Sequence, residues 1–152
     1  MAKTDMLTFG VIGAGRIGQL HAKHLRYRIA QAELVMISDI VEEVARRCAQ
    51  ECRVTRYSTD YRDILKDPGI QAVLICSSTD THAKIIEEAA SAGKHIFCEK
   101  PIDHDLHKID RALAAVDKAG VLLQIGFNRR FDANYQRVRQ AVASGEIGEP
   151  HL

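Results

Sequence analysis

A Gly13-x-Gly15-x-x-Gly18 turn directly follows a short apolar run, Leu7 to Ile12, and a helical pattern comes after it. In that order of strand, turn and helix, backbone can approach a pyrophosphate closely. Gly13 makes the tight turn and Gly15 presents no Cβ to the ligand. Gly18 lets the helix pack near the strand, with its N-terminus aimed at negative charge. Arg16 and Ile17 complete this candidate cofactor-binding segment. The next apolar run, LVMIS, is followed by Asp39, 21 residues after Gly18. A carboxylate there can accept hydrogen bonds from the adenosine ribose hydroxyls and repel a 2′-phosphate. Together these features predict a dinucleotide site; glycines in an ordinary tight turn are the alternative.

Three further segments carry residues suited to chemistry. Ser77, Ser78, Thr79 and Asp80 precede a helical pattern that starts near Thr81, so they can cap that helix; Ser77 to Thr79 can also border a cofactor's diphosphate and ribose. His82, in the first turn, is either polar surface or a cofactor-side contact. Glu99-Lys100-Pro101 follows the run KHIFC. A lysine at a strand's carboxyl end can be partly desolvated and so brought toward the range useful for proton transfer, with Pro101 keeping it out of helical dihedrals. A solvated lysine is the other reading. In GFNRRFD, residues 126–132, Asn128, Arg129 and Arg130 can donate hydrogen bonds to a polyol or carboxylate, or the arginines can pair with Asp132. The pairs His21/His24 and His104/His107 have helical spacing but no completing ligand, so no metal site is expected.

These residues need a frame that brings them to one edge. Strand-like runs fall at 7–12, 33–38, 53–57, 71–76, 94–98 and 121–126, and AVLICS and VLLQIG are nearly continuous in apolar residues, as parallel strands covered on both faces are. Helical patterns alternate with them. One uses Ile85, Ile86, Ala89 and Ala90 and ends at Gly93; another uses Leu106, Ile109, Leu113 and Val116; a last one uses Phe131, Tyr135, Val138 and Val142 and ends at Gly145. The alternation predicts an α/β fold, a doubly wound parallel (Rossmann-type) sheet of about six strands. Ligands in such sheets bind beyond the carboxyl ends of the strands, where each of the segments above lies.

Composition narrows the class. The chain has 152 residues, 46% of them hydrophobic, enough for one domain with a real core. Lys and Arg number 21 against 20 Asp and Glu, a net charge of +1, so no nucleic-acid footprint is expected. No apolar run approaches the ~20 residues that span a bilayer, and MAKTDMLTF has no apolar leader core. Cys48 and Cys52 are four apart, not the spacing of a redox or zinc pair, and Cys76 and Cys98 fall in strand patterns; reduced thiols and a cytoplasmic location are the expectation.

With these residues assembled, the chain resembles the Gfo/Idh/MocA oxidoreductases. The resemblance rests on GVIGAGRIGQLHAKHL (10–25), CSSTDTH (76–82), CEKP (98–101), GFNRRFD (126–132) and GEIGEPHL (145–152), and covers essentially the whole chain in order. It implies NAD as cofactor, with Asp39 as the ribose-binding acid and Ile40, not an arginine, after it. It implies that Lys100 hydrogen-bonds the reacting hydroxyl and takes part in proton transfer. By the same likeness Asn128 and Arg129 face nicotinamide and substrate, and Ser77, Ser78, Thr79, His82, Glu99 and Lys100 line the cofactor. The implied reaction is oxidation of a secondary alcohol on a cyclic polyol, myo-inositol first, with another sugar or sugar acid as alternative. Residues 1–145 then form the NAD-binding domain, and 146–152 lead into a second substrate and oligomerisation domain that this chain lacks; the intact protein is expected to be a homo-oligomer, a tetramer by the family pattern. A non-catalytic NAD-binding module is the rival from another class.

Overall fold

Residues 6–151 are described by a computed structural model. Runs of aliphatic and β-branched side chains become strands wherever both of their faces can be covered. They are β1 (Leu7–Ile12), β2 (Ala32–Ser38), β3 (Arg56–Ser58), β4 (Ala72–Ile75), β5 (His95–Cys98) and β6 (Leu123–Ile125). Between them run α1 (Arg16–Tyr27), α2 (Glu42–Glu51), α3 (Arg62–Lys66), α4 (Thr79–Ser91) and α5 (Leu106–Ala119); α6 (Ala133–Ala143) follows the last strand. All pairings are parallel and the order is β3-β2-β1-β4-β5-β6, the doubly wound sheet that the alternation predicts. The order reverses between β1 and β4, so their carboxyl ends open a crevice at the switch point.

Strand alternation divides the core in two. Val11, Ile37 and Leu74 face one layer, where Ala22 and Leu25 of α1 and Cys48 and Ala49 of α2 cover them. Ile12, Met36, Val73 and Ile75 face the other, against Ile64 of α3, Ile86 and Ala89 of α4 and Ala112 and Val116 of α5. With two buried faces, successive strand residues are all apolar, which is why AVLI of β4 is buried throughout. All four cysteines are buried and unbridged. Burial pushes the thiols of Cys76 and Cys98 up to about 12, away from any reactive range.

Three sequence expectations shift. The third strand is three residues long and starts at Arg56, not residue 53, because Arg53 takes a left-handed φ of 54° to close α2 and Val54 packs on the core before pairing begins. In α5 the buried stripe is Ala112 and Val116; Leu106 and Leu113 are exposed. The last helix starts at Ala133, since Asn128–Phe131 form a 3₁₀ turn and Asp132 caps α6 by accepting the amides of Asn134 and Tyr135. Its apolar stripe of Phe131, Tyr135, Val138 and Val142 is exposed.

At the amino ends of the strands, away from the crevice, Lys94 is buried. Its Nζ donates to the carbonyls of Asp67 (2.6 Å) and Ile70 (2.7 Å), fastening the end of α3 to the start of β4. Burial holds the amine below the usual lysine value of 10.5. Lys94→Met leaves two carbonyls unpaired, so chemical denaturation should show a loss of about 2 kcal/mol. In the wild type, the unfolded lysine keeps its proton to higher pH than the folded one. Stability relative to Lys94→Met should therefore rise as pH climbs toward 10.5.

Candidate functional site

The glycine turn is wedged between two neighbours. Gly13 has φ +89°, and a Cβ there would meet Ser77 N at 2.6 Å and the Cys76 carbonyl at 2.7 Å. A Cβ on Gly18 would overlap the Gly13 carbonyl oxygen, so only hydrogen lets α1 begin this close to β1. A Cβ on Gly15 would have no neighbour within 4 Å, so that side of the turn faces open space. The turn is tied to both flanking strands, with Gly13 N–H donating to Ser38 O (2.8 Å) and Cys76 N–H to Ile12 O (2.7 Å).

Asp39 does more than wait for a ribose. Its Oδ2 accepts the Ala14 amide (2.8 Å) and its Oδ1 the Val41 amide (2.9 Å), so the carboxylate staples the end of β2 to the glycine turn. Each oxygen keeps a second lone pair for a hydroxyl donor.

The crevice over the switch point is a cleft of about 660 Å³. Gly13, Gly15, Arg16, Ile17, Asp39, Ser77 and Ser78 all line it. Thr79 stands at the first position of α4, just behind that rim. Hydroxyl capping of α4 does not occur: the Thr81 hydroxyl donates to Ser78 O (2.7 Å) and the Ser77 hydroxyl joins Thr81 Oγ1 (2.7 Å), and Ser78 is the N-cap without a side-chain bond. Thr81 N–H donates back to Ser78 O (2.9 Å), which leaves the amides of Thr79 and Asp80 without a side-chain cap at the rim occupied by Ser77 and Ser78.

Thr59, Tyr61, Arg62 and Lys84 also line the cleft and were not singled out from sequence. They belong to the β3 and α4 surroundings, where no polar residue directly follows a long apolar run; only correct placement of β3 could have pointed to Thr59. Arg62 lies 4.8 Å over the Tyr61 ring and pairs with Glu88 (3.2 Å). Burial, reinforced by the bond to Glu88, pushes the Tyr61 phenol up to about 12. Arg16, Arg62 and Lys84 thus give the cleft cationic character, with Asp39 the anion beside the turn.

The remaining sequence candidates stand outside this cleft. His82 is 2% exposed, and its Nδ1 and Nε2 lie 2.8 Å and 3.0 Å from the carbonyls of Pro101 and Ser77. Both ring nitrogens face carbonyl oxygens, so the ring spans the two loops as a buried strut. Glu99 is likewise engaged, its Oε1 2.8 Å from Nε2 of His21. Lys100 is exposed at the end of β5. Asn128 opens the 3₁₀ turn, and Arg129 stacks at 4.5 Å on Tyr135. A second hollow of about 630 Å³ lies there, between Arg129, Arg130, Gln136 and Arg139. Neither arginine pairs with Asp132, whose carboxylate is spent on the α6 cap.

The residues present suit a dinucleotide. Gly15 leaves open space beside the turn that a Cβ would enter, Ser38 Oγ is buried in the cleft lining with no hydrogen-bond partner among the described residues, and both a carboxylate and cations line the cleft. Among the described residues no group of three His, Cys, Asp or Glu side chains is arranged to hold a metal ion. No described helix is long and apolar enough to cross a membrane.

Comparison with known proteins gives the same reading. Residues 7–127 match the GFO_IDH_MocA model, described as an oxidoreductase family with an NAD-binding Rossmann fold. The chain is 48% identical over 149 residues to the uncharacterized oxidoreductase YrbE of Bacillus subtilis, covering 98% of this chain and 43% of that protein. It is 43% identical over 146 residues to myo-inositol 2-dehydrogenase of Thermotoga maritima, covering 96% and 43%. The scyllo-inositol dehydrogenase of Lactobacillus casei, solved with bound NAD(H) and scyllo-inositol, superposes with a TM-score of 0.87 at 33% identity, over 94% of this chain and 42% of that one. The chain thus spans about two fifths of the length of the relatives it matches.

Asp39→Ala removes the acceptor of two backbone amides together with the ribose-side charge. Isothermal titration with NAD should show affinity weakened by about tenfold or more. Unchanged affinity would contradict the stapling role.

Proposed function

The chain belongs to the Gfo/Idh/MocA oxidoreductase family, and from that premise we propose that it is the cofactor-binding part of an NAD-dependent dehydrogenase acting on a cyclic polyol, myo-inositol first. The observation that carries the reading is the glycine turn stapled by Asp39, with an exposed lysine following β5, two strands away along the same carboxyl side of the sheet. The 43% identity to a myo-inositol 2-dehydrogenase supports the choice of substrate. Residues 1–145 act as the NAD-binding domain, and 146–152 lead toward a second domain that completes the substrate pocket.

In this reading NAD accepts the carbinol hydride. The chain's own residues orient and handle the proton. Amides of the glycine turn and of the α4 N-terminus bind the diphosphate, with Ser77 and Ser78 at the rim. Asp39 accepts from the adenosine ribose hydroxyls, and its charge with Ile40 beside it disfavours a 2′-phosphate. The Lys100 amine hydrogen-bonds the reacting hydroxyl and takes its proton as the ketone forms. Asn128 and Arg129 donate to the ring hydroxyls and hold the carbinol carbon toward the cofactor. Fixed geometry, rather than new covalent chemistry, is what the protein contributes.

Rates across a panel of myo-inositol, scyllo-inositol and aldoses test the substrate. In the intact enzyme, Lys100→Met should lower turnover by about a hundredfold or more, the range for losing a general acid-base group. NAD affinity should stay within about threefold, because Lys100 lies outside the cleft lining. Near-normal turnover in that variant would reject the assignment.

A further inference from the structure

Lys100 lies between two residues that are each held by a histidine from a different face of the sheet. On one side, His21 of α1 reaches Glu99: Nε2 to Oε1 is 2.8 Å, with the two side chains 22% and 17% exposed. The His21 ring also stands edge-on to Phe97, centroids 5.1 Å apart. On the other side, His82 of α4 contacts the Pro101 carbonyl with Nδ1 and the Ser77 carbonyl with Nε2. α1 covers one core layer and α4 the other, so the lysine's backbone is gripped from both.

The grip extends to the next strand. Glu99 N–H donates to Ile75 O (2.9 Å) and Gly126 N–H to Cys98 O (2.8 Å). A Cβ at Gly126 would stand 3.2 Å from the Glu99 carboxyl, so that carboxyl is packed against the start of the turn bearing Asn128 and Arg129. One pair therefore touches the helix launched by the glycine turn, the strand end carrying Lys100 and the approach to the substrate-facing turn.

We infer that His21, through Glu99, and His82, through the Pro101 carbonyl, are positioning residues that brace Lys100 against the cofactor-binding layer. Apolar side chains would fill both spaces, the buried one at His82 and the partly buried one at His21, with less desolvation, since swapping a buried polar pair for packed apolar groups is often neutral or stabilising. What apolar groups lack is direction, and each of these nitrogens is aimed at one oxygen of a residue flanking the lysine. Neither histidine lines the cleft, though His82 also meets the carbonyl of Ser77 at its rim, so His21 is the cleaner probe of the lysine.

The inference takes its purpose from the role proposed for Lys100, but its test reads placement without turnover. The 152-residue chain is labelled with acetic anhydride, and the rate at Lys100 is taken relative to Lys118, an exposed lysine at the end of α5. His21→Leu should change that ratio by roughly threefold or more, the effect of losing a charge-assisted hydrogen bond at the neighbouring residue. His21→Gln should restore it, because the amide nitrogen falls where Nε2 does. His82→Phe should likewise change the ratio, with partial recovery in His82→Asn, whose amide stands in for Nδ1. Should His21→Leu fail to fold, Glu99→Ala carries the same comparison. A ratio in the Leu and Phe variants equal to wild type, or no recovery with Gln, overturns the brace. Calorimetry with NAD on the wild type separates the two ideas: absent binding overturns the functional reading, whereas the labelling ratio alone judges the brace.

Discussion

Hydrogen is the only substituent that fits at position 18. The carbonyl of Gly13 occupies the space a methyl group would need, and Gly13 in turn sits against Ser77 N and the Cys76 carbonyl. This close stacking of turn, helix and neighbouring loop lets α1 begin four residues after β1 ends while its first amides still face the crevice. Each neighbouring strand end is then referenced to the same point. β2 attaches through Ser38 O, β4 through Cys76 N–H, β5 through Glu99 N–H on Ile75 O, and β6 through Gly126 N–H on Cys98 O. The site is a row of strand ends measured from one steric contact.

Charge is placed on that row with little freedom. The amides of Ala14 and Val41 fix the direction of Asp39, and in the proposed reading its spare lone pairs serve the ribose hydroxyls. A carboxylate held by backbone donors presents a preset geometry, so little order is lost when a ligand arrives. The lysine is treated differently. Among the described residues it has no side-chain partner, whereas its flanking residues are held, Glu99 by His21 and the Pro101 carbonyl by His82. Such an arrangement leaves the amine free to exchange a proton while restricting where it can do so.

Much of this was legible in the residues. The glycine spacing, Asp39 and the apolar runs of β1, β2, β4 and β5 carried the sheet and the cofactor crevice, because steric demands at Gly13 and Gly18 and burial on both faces leave few residue choices. The short third strand was not legible: Arg53 turns left-handed to end α2, and a residue's φ sign is invisible when the side chain is not glycine. The stripe on α6 read as a buried face and is exposed, since periodicity records an apolar side without saying what covers it. The sequence places His82 and Glu99 in strand-end loops but does not show the protein groups they meet, the Pro101 and Ser77 carbonyls for His82 and His21 for Glu99. Position at a strand end says that a polar group is near the crevice, whereas the bond it makes depends on a helix far away in sequence, α1 for Glu99. Tyr61, Arg62 and Lys84 carried no signal, because their place in the cleft comes from crossovers and not from any local pattern.

The most direct test of the account is a titration of the folded chain with NAD, followed residue by residue through its backbone amide resonances. Binding at the crevice requires the largest shifts at Gly13 to Gly18, at Asp39 and at Ser77 to Thr79, with Lys94 and its carbonyl partners at the amino ends of the strands unmoved. If millimolar NAD leaves the glycine-turn amides where they were, while the amides at the amino ends of the strands report an intact fold, the assignment of that turn as the diphosphate site is wrong.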